Sequence, residues 1–489
     1  MTDNASASPL GDRERGRAFA VCVAVAAVTV LDLTKVNVGL PSIERALGAD
    51  STQLQLLVGG YSLAFGLVLV PAGRLGDLYS RRTMFVIGLS LFIGSSLLCA
   101  VAPNIELLLV FRTLQGVAAG IQIPQVLGLI QQLYHGEQRG RAFGLFGATI
   151  GICTAVGPTF GGVLVGAGGE PAGWPLLFWI NVPLGALALV FAIRTLPTEH
   201  QRHQDARDLD VVGILLLGVG VLSLMLPFLL TTGGPSDDPR RWLTLPAFVA
   251  VGALFVRWER RYQQRGKSPV VHLDLFRQGA YRNGVLVITA YFAALPALFL
   301  LTTLFLQQGL GVAPVYAGMV GIPFAVGSAA ASWLGGRLVG RYGRNLVVAG
   351  IVCVIVGVAL VACAATLPSA DASPWWIAAA MLVAGVGGGF VVSPNQTLTL
   401  AEVPVDEGGV AGSVMQVGQR VGTAIGVAAA SSAFFATLYA EQGPIASVAS
   451  YRDGFRNGAI VSAGLVVVAL VFAVLDLRGR THRRERTLR

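Results

Sequence analysis

Asp32 and Lys35 stand three residues apart in the run Val30-Leu31-Asp32-Leu33-Thr34-Lys35-Val36-Asn37. The surrounding stretch is otherwise apolar enough to cross a bilayer. A charge at bilayer depth costs about 2.5–3.5 kcal/mol, so the pair implies a water-filled path or a charged partner. At this spacing both side chains share one helix face. A second apolar stretch carries Arg112. If the first helix runs from inside to outside and ends near Pro41, Asp32 lies eight residues below its outer end, and Arg112 lies seven below the start of the fourth helix near Ile105. At ~1.5 Å per residue both sit about 11 Å down, which makes them natural partners. A carboxylate in that setting can gain and lose a proton: burial favours its neutral form and a nearby guanidinium its charged form. Lys35 either neutralises Asp32 or faces a cavity as a site for an anionic group, and its bland alternative is to snorkel outward.

These residues need helices to hold them. The chain has 489 residues, of which 54% are hydrophobic and 12% charged, with a net charge of +9. Apolar runs of the length that crosses ~30 Å of hydrocarbon recur along it, at roughly 17–40, 53–73, 83–102, 105–126, 142–167, 176–196, 210–231, 243–257, 284–308, 315–336, 345–366, 374–396, 409–435 and 455–477. This predicts an all-α polytopic membrane protein with fourteen spans. If both termini are cytoplasmic, the outer loops hold Arg45, Arg240, Arg241, Arg452 and Arg456, the helices hold Lys35, Arg112 and Arg420, and the rest of the 35 Lys and Arg residues lie inside, as the positive-inside rule requires. The Arg-rich tail then reads as a topology anchor on anionic lipid and not as a nucleic-acid site. Helix 1 is too long for a signal-peptide core and is expected to be retained. Cys22, Cys99, Cys153, Cys353 and Cys363 all fall in spans without metal spacing, so no metal or disulfide is expected.

An internal echo divides the chain. Gly73-Arg74-Leu75-Gly76-Asp77-Leu78-Tyr79-Ser80-Arg81-Arg82 follows span two, and Gly336-Arg337-Leu338-Val339-Gly340-Arg341-Tyr342-Gly343-Arg344-Asn345 follows span ten, with Gly, Arg, Leu, Tyr and Arg in common. Parallel repeats with a site between them are the organisation of a rocking transporter. The predicted units are a six-helix half at 1–197, a two-helix insert with a basic loop at 198–283, and a second six-helix half with a basic tail at 284–489. In the first echo the glycines allow helices two and three to approach. Asp77 can bind the positive N-terminal end of a helix from the other half, and Arg81 and Arg82 can hold carbonyls or carboxylates across the cleft. Gly157, Pro158, Gly161 and Gly162 in helix 5 offer a bent, close-packing hinge surface. Asn37, Gln115, Asn395, Gln396, Gln416, Gln419 and Arg420 are candidate substrate contacts.

With these motifs in order, the chain resembles the fourteen-helix drug:proton antiporter branch of the major facilitator superfamily. Leu31–Pro41 is similar to that branch's helix 1 motif and Gly73–Arg82 to the superfamily's signature loop. Arg112-Thr113-Leu114-Gln115-Gly116 resembles the helix 4 motif, Gly157–Gly162 the antiporter motif of helix 5, and Phe178–Gly185 the start of helix 6. The resemblance implies two halves in the major facilitator fold, proton coupling through Asp32 and Arg112, a latch of Gly73, Asp77 and Arg81, and antiport geometry set by Gly157, Pro158, Gly161 and Gly162. It departs at Lys35, where an apolar residue is usual, at Ser80 and Cys153, which replace glycines, and at Gln419-Arg420, which reverses the usual order.

The reading is a proton-coupled exporter of amphipathic small molecules, a multidrug-type antiporter that draws on the proton gradient and needs no cofactor. It is expected as a monomer in a bacterial cell membrane, with lipid, protons and an amphipathic solute as its partners. Lys35 and Arg420, if they face the cavity, favour anionic or zwitterionic cargo over lipophilic cations. The alternatives are proton-independent export or uniport of a specific anionic metabolite, natural product or lipid and, more remotely, a non-transporting sensor. An enzyme is not expected, for want of a Ser/His/Asp or metal constellation; His135, His200, His203, His272 and His482 all lie in loops or tails.

Overall fold

The computed structural model describes residues 11–169, 172–197, 210–229, 238–366, 372–440 and 447–487. All regular structure among them is helical. Fourteen long helices follow the chain: α1 (Asp12–Leu47), α2 (Ser51–Leu78), α3 (Arg81–Ala100), α4 (Ile105–Leu133), α5 (Gly136–Ala167), α6 (Leu176–Thr195), α7 (Val211–Leu229), α8 (Thr244–Gln264), α9 (Gly279–Leu304), α10 (Ile322–Tyr342), α11 (Arg344–Ala365), α12 (Ser373–Thr399), α13 (Gly408–Ala440) and α14 (Val448–Thr487). Among the described residues thirteen helices are long and apolar enough to cross a membrane, and the bent α5 makes up to fourteen. The loop 198–209, with His200 and His203, lies outside the described residues.

Several helices outrun the apolar runs that announce them. α1 continues through Pro41 to Leu47 and stops at Gly48, whose φ of 63° is left-handed. A proline inside a helix removes one backbone donor without ending the helix when the next turn is held, and here Arg45 Nε donates to the Pro41 carbonyl at 3.1 Å. α8 runs past its apolar run as the amphipathic Trp258-Glu259-Arg260-Arg261-Tyr262 segment. α5 bends by 42° between Thr154 and Val156. Pro158 has no N–H to offer the Thr154 carbonyl one turn earlier, which is the usual cause of such a kink.

Helices α1–α6 pack among themselves, as do α9–α14, and the two groups meet where α5 lies on α10 and α12 and where α2 and α4 lie on α13. α7 packs against both α2 and α13, astride the second of these seams, and α8 packs on α7. The second group is built around an aliphatic cluster that includes Val287, Leu298, Val354, Val358, Ala384 and Phe434. The first has its own cluster around Phe65, Phe85, Phe92 and Phe143.

Candidate functional site

α1, α4 and α6 converge on Asp32, which is fully buried. The short helical turn Leu176–Trp179 breaks at Ile180 and restarts at Asn181, which aims the Asn181 amide at α1. Arg112 Nη1 donates to Asp32 Oδ2, and Asn181 Nδ2 donates to Asp32 Oδ1 at 2.6 Å. Lys35 Nζ lies 3.4 Å from Asp32 Oδ1 and donates to Asn181 Oδ1 at 2.5 Å. The network closes through Gln115, which accepts from Arg112 at 2.6 Å and donates to Ser96 Oγ at 2.7 Å. The Arg112 guanidinium stacks 4.0 Å above the Tyr61 ring, an arrangement that partly replaces lost hydration. With Asp32 ionised, one anion and two cations leave this cluster at +1.

Two expectations change here. Lys35 does not line a cavity and does not snorkel: it is 1% exposed and turned into the α1–α6 interface. Its nearest oxygens are those of Asp32 and Asn181, and burial without them would strand an ammonium in an apolar bundle. Gln115 likewise belongs to the buried network and not to an open surface. Asn181 and Tyr61 were not among the candidates. Asn181 had a signal, a polar residue opening an apolar helix, whereas Tyr61 became visible only when α2 met α4.

Arg420 is different in kind. Its guanidinium lies 4.4 Å over the Phe65 ring of α2, its Nε has no hydrogen-bond partner, and the side chain is half-buried. The Tyr61 hydroxyl, one turn from Phe65, also lacks a partner. Gln416 and Gln419 are buried on the same helix. Asn37 is exposed on α1, two residues past Lys35.

A second cluster joins the halves at the end of the bundle where the basic turns lie. Asp77 accepts from the backbone N–H groups of Gly409 and Val410 at 3.1 and 2.9 Å, so a carboxylate of α2 caps the N-terminal end of α13, where the helix dipole favours an anion. Arg81 pairs with Asp77 at 2.7 Å and donates across to the Val405 carbonyl. Gln131 reaches the Gly408 carbonyl at 3.3 Å, and Arg139 the Leu400 carbonyl at 3.3 Å. Gly73 permits this approach, since a Cβ there would lie 2.7 Å from the Gly409 carbonyl oxygen. Arg82, by contrast, donates to the Ile193 carbonyl at 2.5 Å. It therefore holds α6 within its own half and does not gate.

The glycines of α5 also divide differently from the expectation. A Cβ on Gly157 would collide with Thr34, and one on Gly161 with the Lys35 backbone, while Gly162 faces Val38. These three set the α1–α5 contact inside one half. Pro158 approaches Gly318. The seam between halves is carried by Gly140 and Gly144 against Gly336 and Ser332, and by Gly151 against Ser328; the 42° bend turns the two ends of the small-residue stripe toward different neighbours. Asn395 is likewise not a cavity residue: it accepts from Arg344 and donates to the Gly284 carbonyl at 2.9 Å, fully buried. Gln396 is 3% exposed and its Oε1 is unpartnered. Among the described residues no group of three or more His, Cys, Asp or Glu could hold a metal.

Comparison with known proteins agrees with this architecture. The chain is 33% identical to the probable actinorhodin transporter of Streptomyces coelicolor over 92% of this chain and 77% of that one. It is 32% identical to the puromycin resistance protein of Streptomyces alboniger over 97% and 94%. Its fold superposes on the human organic anion transporter MFSD10 with a TM-score of 0.66 at 14% identity, covering 94% of this chain and 99% of that one. The sequence pattern of the Major Facilitator Superfamily matches residues 18–427. The chain therefore belongs to the Major Facilitator Superfamily, as a multi-pass membrane transporter and not an enzyme.

Proposed function

We propose that this transporter exports amphipathic small molecules that carry an acidic group, in exchange for protons. The observation that carries the proposal is the Asp32 site: a fully buried carboxylate held by two cations and an amide, where packing alone would need none of them. When water reaches Asp32 from one side, protonation releases Arg112 and Lys35 from their counter-ion, and the energy of the cluster changes by far more than one hydrogen bond. That coupling lets a proton drive the change of access. Arg420, a cation stacked on Phe65 with no carboxylate partner among the described residues, supports an anionic group on the cargo, with the aromatic ring offering a face to its apolar part. The relatives named for actinorhodin transport and puromycin resistance support export of natural products. The latched basic end fits an access state open on the opposite side.

The test is transport into proteoliposomes with and without a pH gradient, together with proton release on adding a substrate to protein in detergent. Asp32→Asn is expected to lose gradient-driven transport and proton release while keeping substrate exchange. Arg420→Gln is expected to weaken binding of an anionic amphiphile about tenfold, near 1.4 kcal/mol, and to spare a neutral analogue. Unchanged proton release in Asp32→Asn overturns the coupling. The second reading, proton-independent export of a specific anionic metabolite, natural product or lipid, then takes its place. It is favoured by Lys35, which leaves Asp32 with more positive charge than one proton exchange requires.

A further inference from the structure

The two-helix insert holds a pair of carboxylates that the Asp32 site does not use. Asp210, at the start of α7, is 3% exposed, and Glu259, near the end of α8, is 1% exposed. A methyl group added to Gly213 would lie 2.5 Å from Asp210 Oδ2 and 2.7 Å from Glu259 Oε1, so the two acids face each other across that glycine. Asp210 is well provided for. The Trp258 indole N–H donates to both its oxygens at 2.9 Å, and the Gly213 N–H donates at 2.8 Å. Glu259 is not: among the described residues no side chain donates to either of its oxygens. The Val270 and Val271 amides donate toward it from the returning segment, and Arg74 faces it from α2; Arg74 also donates to the Ser268 hydroxyl and faces Glu407. α13 contributes Val410, Val414 and Val417 to this region, and Glu407, just before α13, faces Arg74, His272 and Asp77.

The surroundings tie the pair to the latch. Val270 and Val271 pack in one cluster with Val70 of α2 and Val410 of α13, and Ile214, Leu217 and Phe255 of the insert pack against that cluster. Val410 is also the residue whose N–H caps on Asp77. Arg74 directly follows Gly73, the close-approach point of α2. The insert is thus buttressed on both halves at the place where they must part.

We propose that Asp210 and Glu259 form a second proton-binding pair that fastens the insert across the latch, so that the closed basic end takes up a proton at this site. Two buried carboxylates facing one another cannot both be ionised without cost, and one shared proton relieves that repulsion. Opening the basic end separates the valine cluster, wets Glu259 and releases the proton to that side. The linkage sign follows: the closed state binds the proton more tightly, so it is favoured at low pH and weakened as pH rises and the shared proton is lost. This site is independent of proton coupling at Asp32.

Full-length protein in lipid nanodiscs tests it, in an Asp32→Asn background that removes the first site. Infrared difference spectra at neutral pH are expected to show a protonated carboxylic-acid band that disappears in Glu259→Gln. A band unaffected by that substitution, or absent from the parent, overturns the proposal. In the same background without native cysteines, spin labels at the exposed positions Tyr79 and Glu402 report the opening of the basic end. Their separation is expected to lengthen as pH rises in the parent and to stay short and flat with pH in Glu259→Gln. Should Glu259→Gln fail to fold, Asp210→Asn is expected to give the same loss of pH response. A response identical to the parent's in the folded variant overturns the proposal.

Discussion

The two six-helix halves hold themselves together by different means. In the first, α1, α4 and α6 meet around Asp32, Arg112, Lys35 and Asn181. In the second, α9, α11, α12 and α14 meet around Val287, Val354, Val358, Val361 and Leu298, with all five essentially inaccessible. The second half places its own buried ion pair, Arg344 Nε to Asp476 Oδ2 at 2.5 Å, at the basic end, where it ties α11 to α14 and, through Asn395, to α12. Away from that pair, apolar packing builds the middle of this bundle, since close contact and small residues drive helix association in lipid. The charges inside the first half are an expense that apolar packing does not require, and that contrast is the ground for proposing that they couple protons.

The comparison can be broken most forcefully at Arg112. Arg112→Met leaves Asp32 buried with only Lys35 and is expected to cost about 3–5 kcal/mol of stability, read by denaturant or SDS titration. Adding Asp32→Asn to Arg112→Met should restore much of that loss, because the stranded charge is gone while the packing stays. If the double variant is no better than the single, the cluster is a packing device. Asp476→Asn should cost about 3 kcal/mol by the same logic, yet leave the gradient dependence of transport unchanged, since that pair only braces the second half. A changed pH profile there would erase the functional contrast between the halves.

Smaller effects sharpen the picture. Asp77→Asn removes the anion that caps α13 and is expected to cost up to about 2 kcal/mol of the closed state, seen as a larger open population between labels on the two halves without a comparable loss of global stability. Lys35→Gln keeps a donor for Asn181 and leaves Arg112 on Asp32. It should cost less than about 1.5 kcal/mol and leave the proposed preference for anionic over cationic cargo unmoved, because Lys35 is buried. A swing toward cations in Lys35→Gln would return that residue to the substrate path.

Much of the architecture was legible because a bilayer enforces it. Each span must be apolar over a fixed length and its loops must carry charge asymmetrically, so the fourteen runs could be read one by one. Asp32 and Arg112 stood out because charge in such runs is costly and the two sit at matching depths, and Asp77 because an acid in a glycine-rich turn suits a helix N-terminus. The mistaken assignments share one cause: depth is visible in a linear sequence, but azimuth is not. Lys35, Gln115, Asn395 and Arg82 lie near the expected heights and point elsewhere, inward to Asn181, to Ser96, to Gly284 and to Ile193.

The chain by itself determined the number of apolar helices, the duplicated turn with its Asp77 and Arg81, and the presence of buried opposite charges, because each follows from the cost of moving a residue type out of water. The tertiary structure decided which charges meet. Which side of α5 faces α1 and which faces α10, whether Lys35 sees a cavity, and that Asp210 and Glu259 are both buried beside Gly213 depend on helix rotation, a bend at Thr154–Val156 and the return of α8 along α7. Those are set by packing among side chains far apart in sequence, and no local spacing carries them.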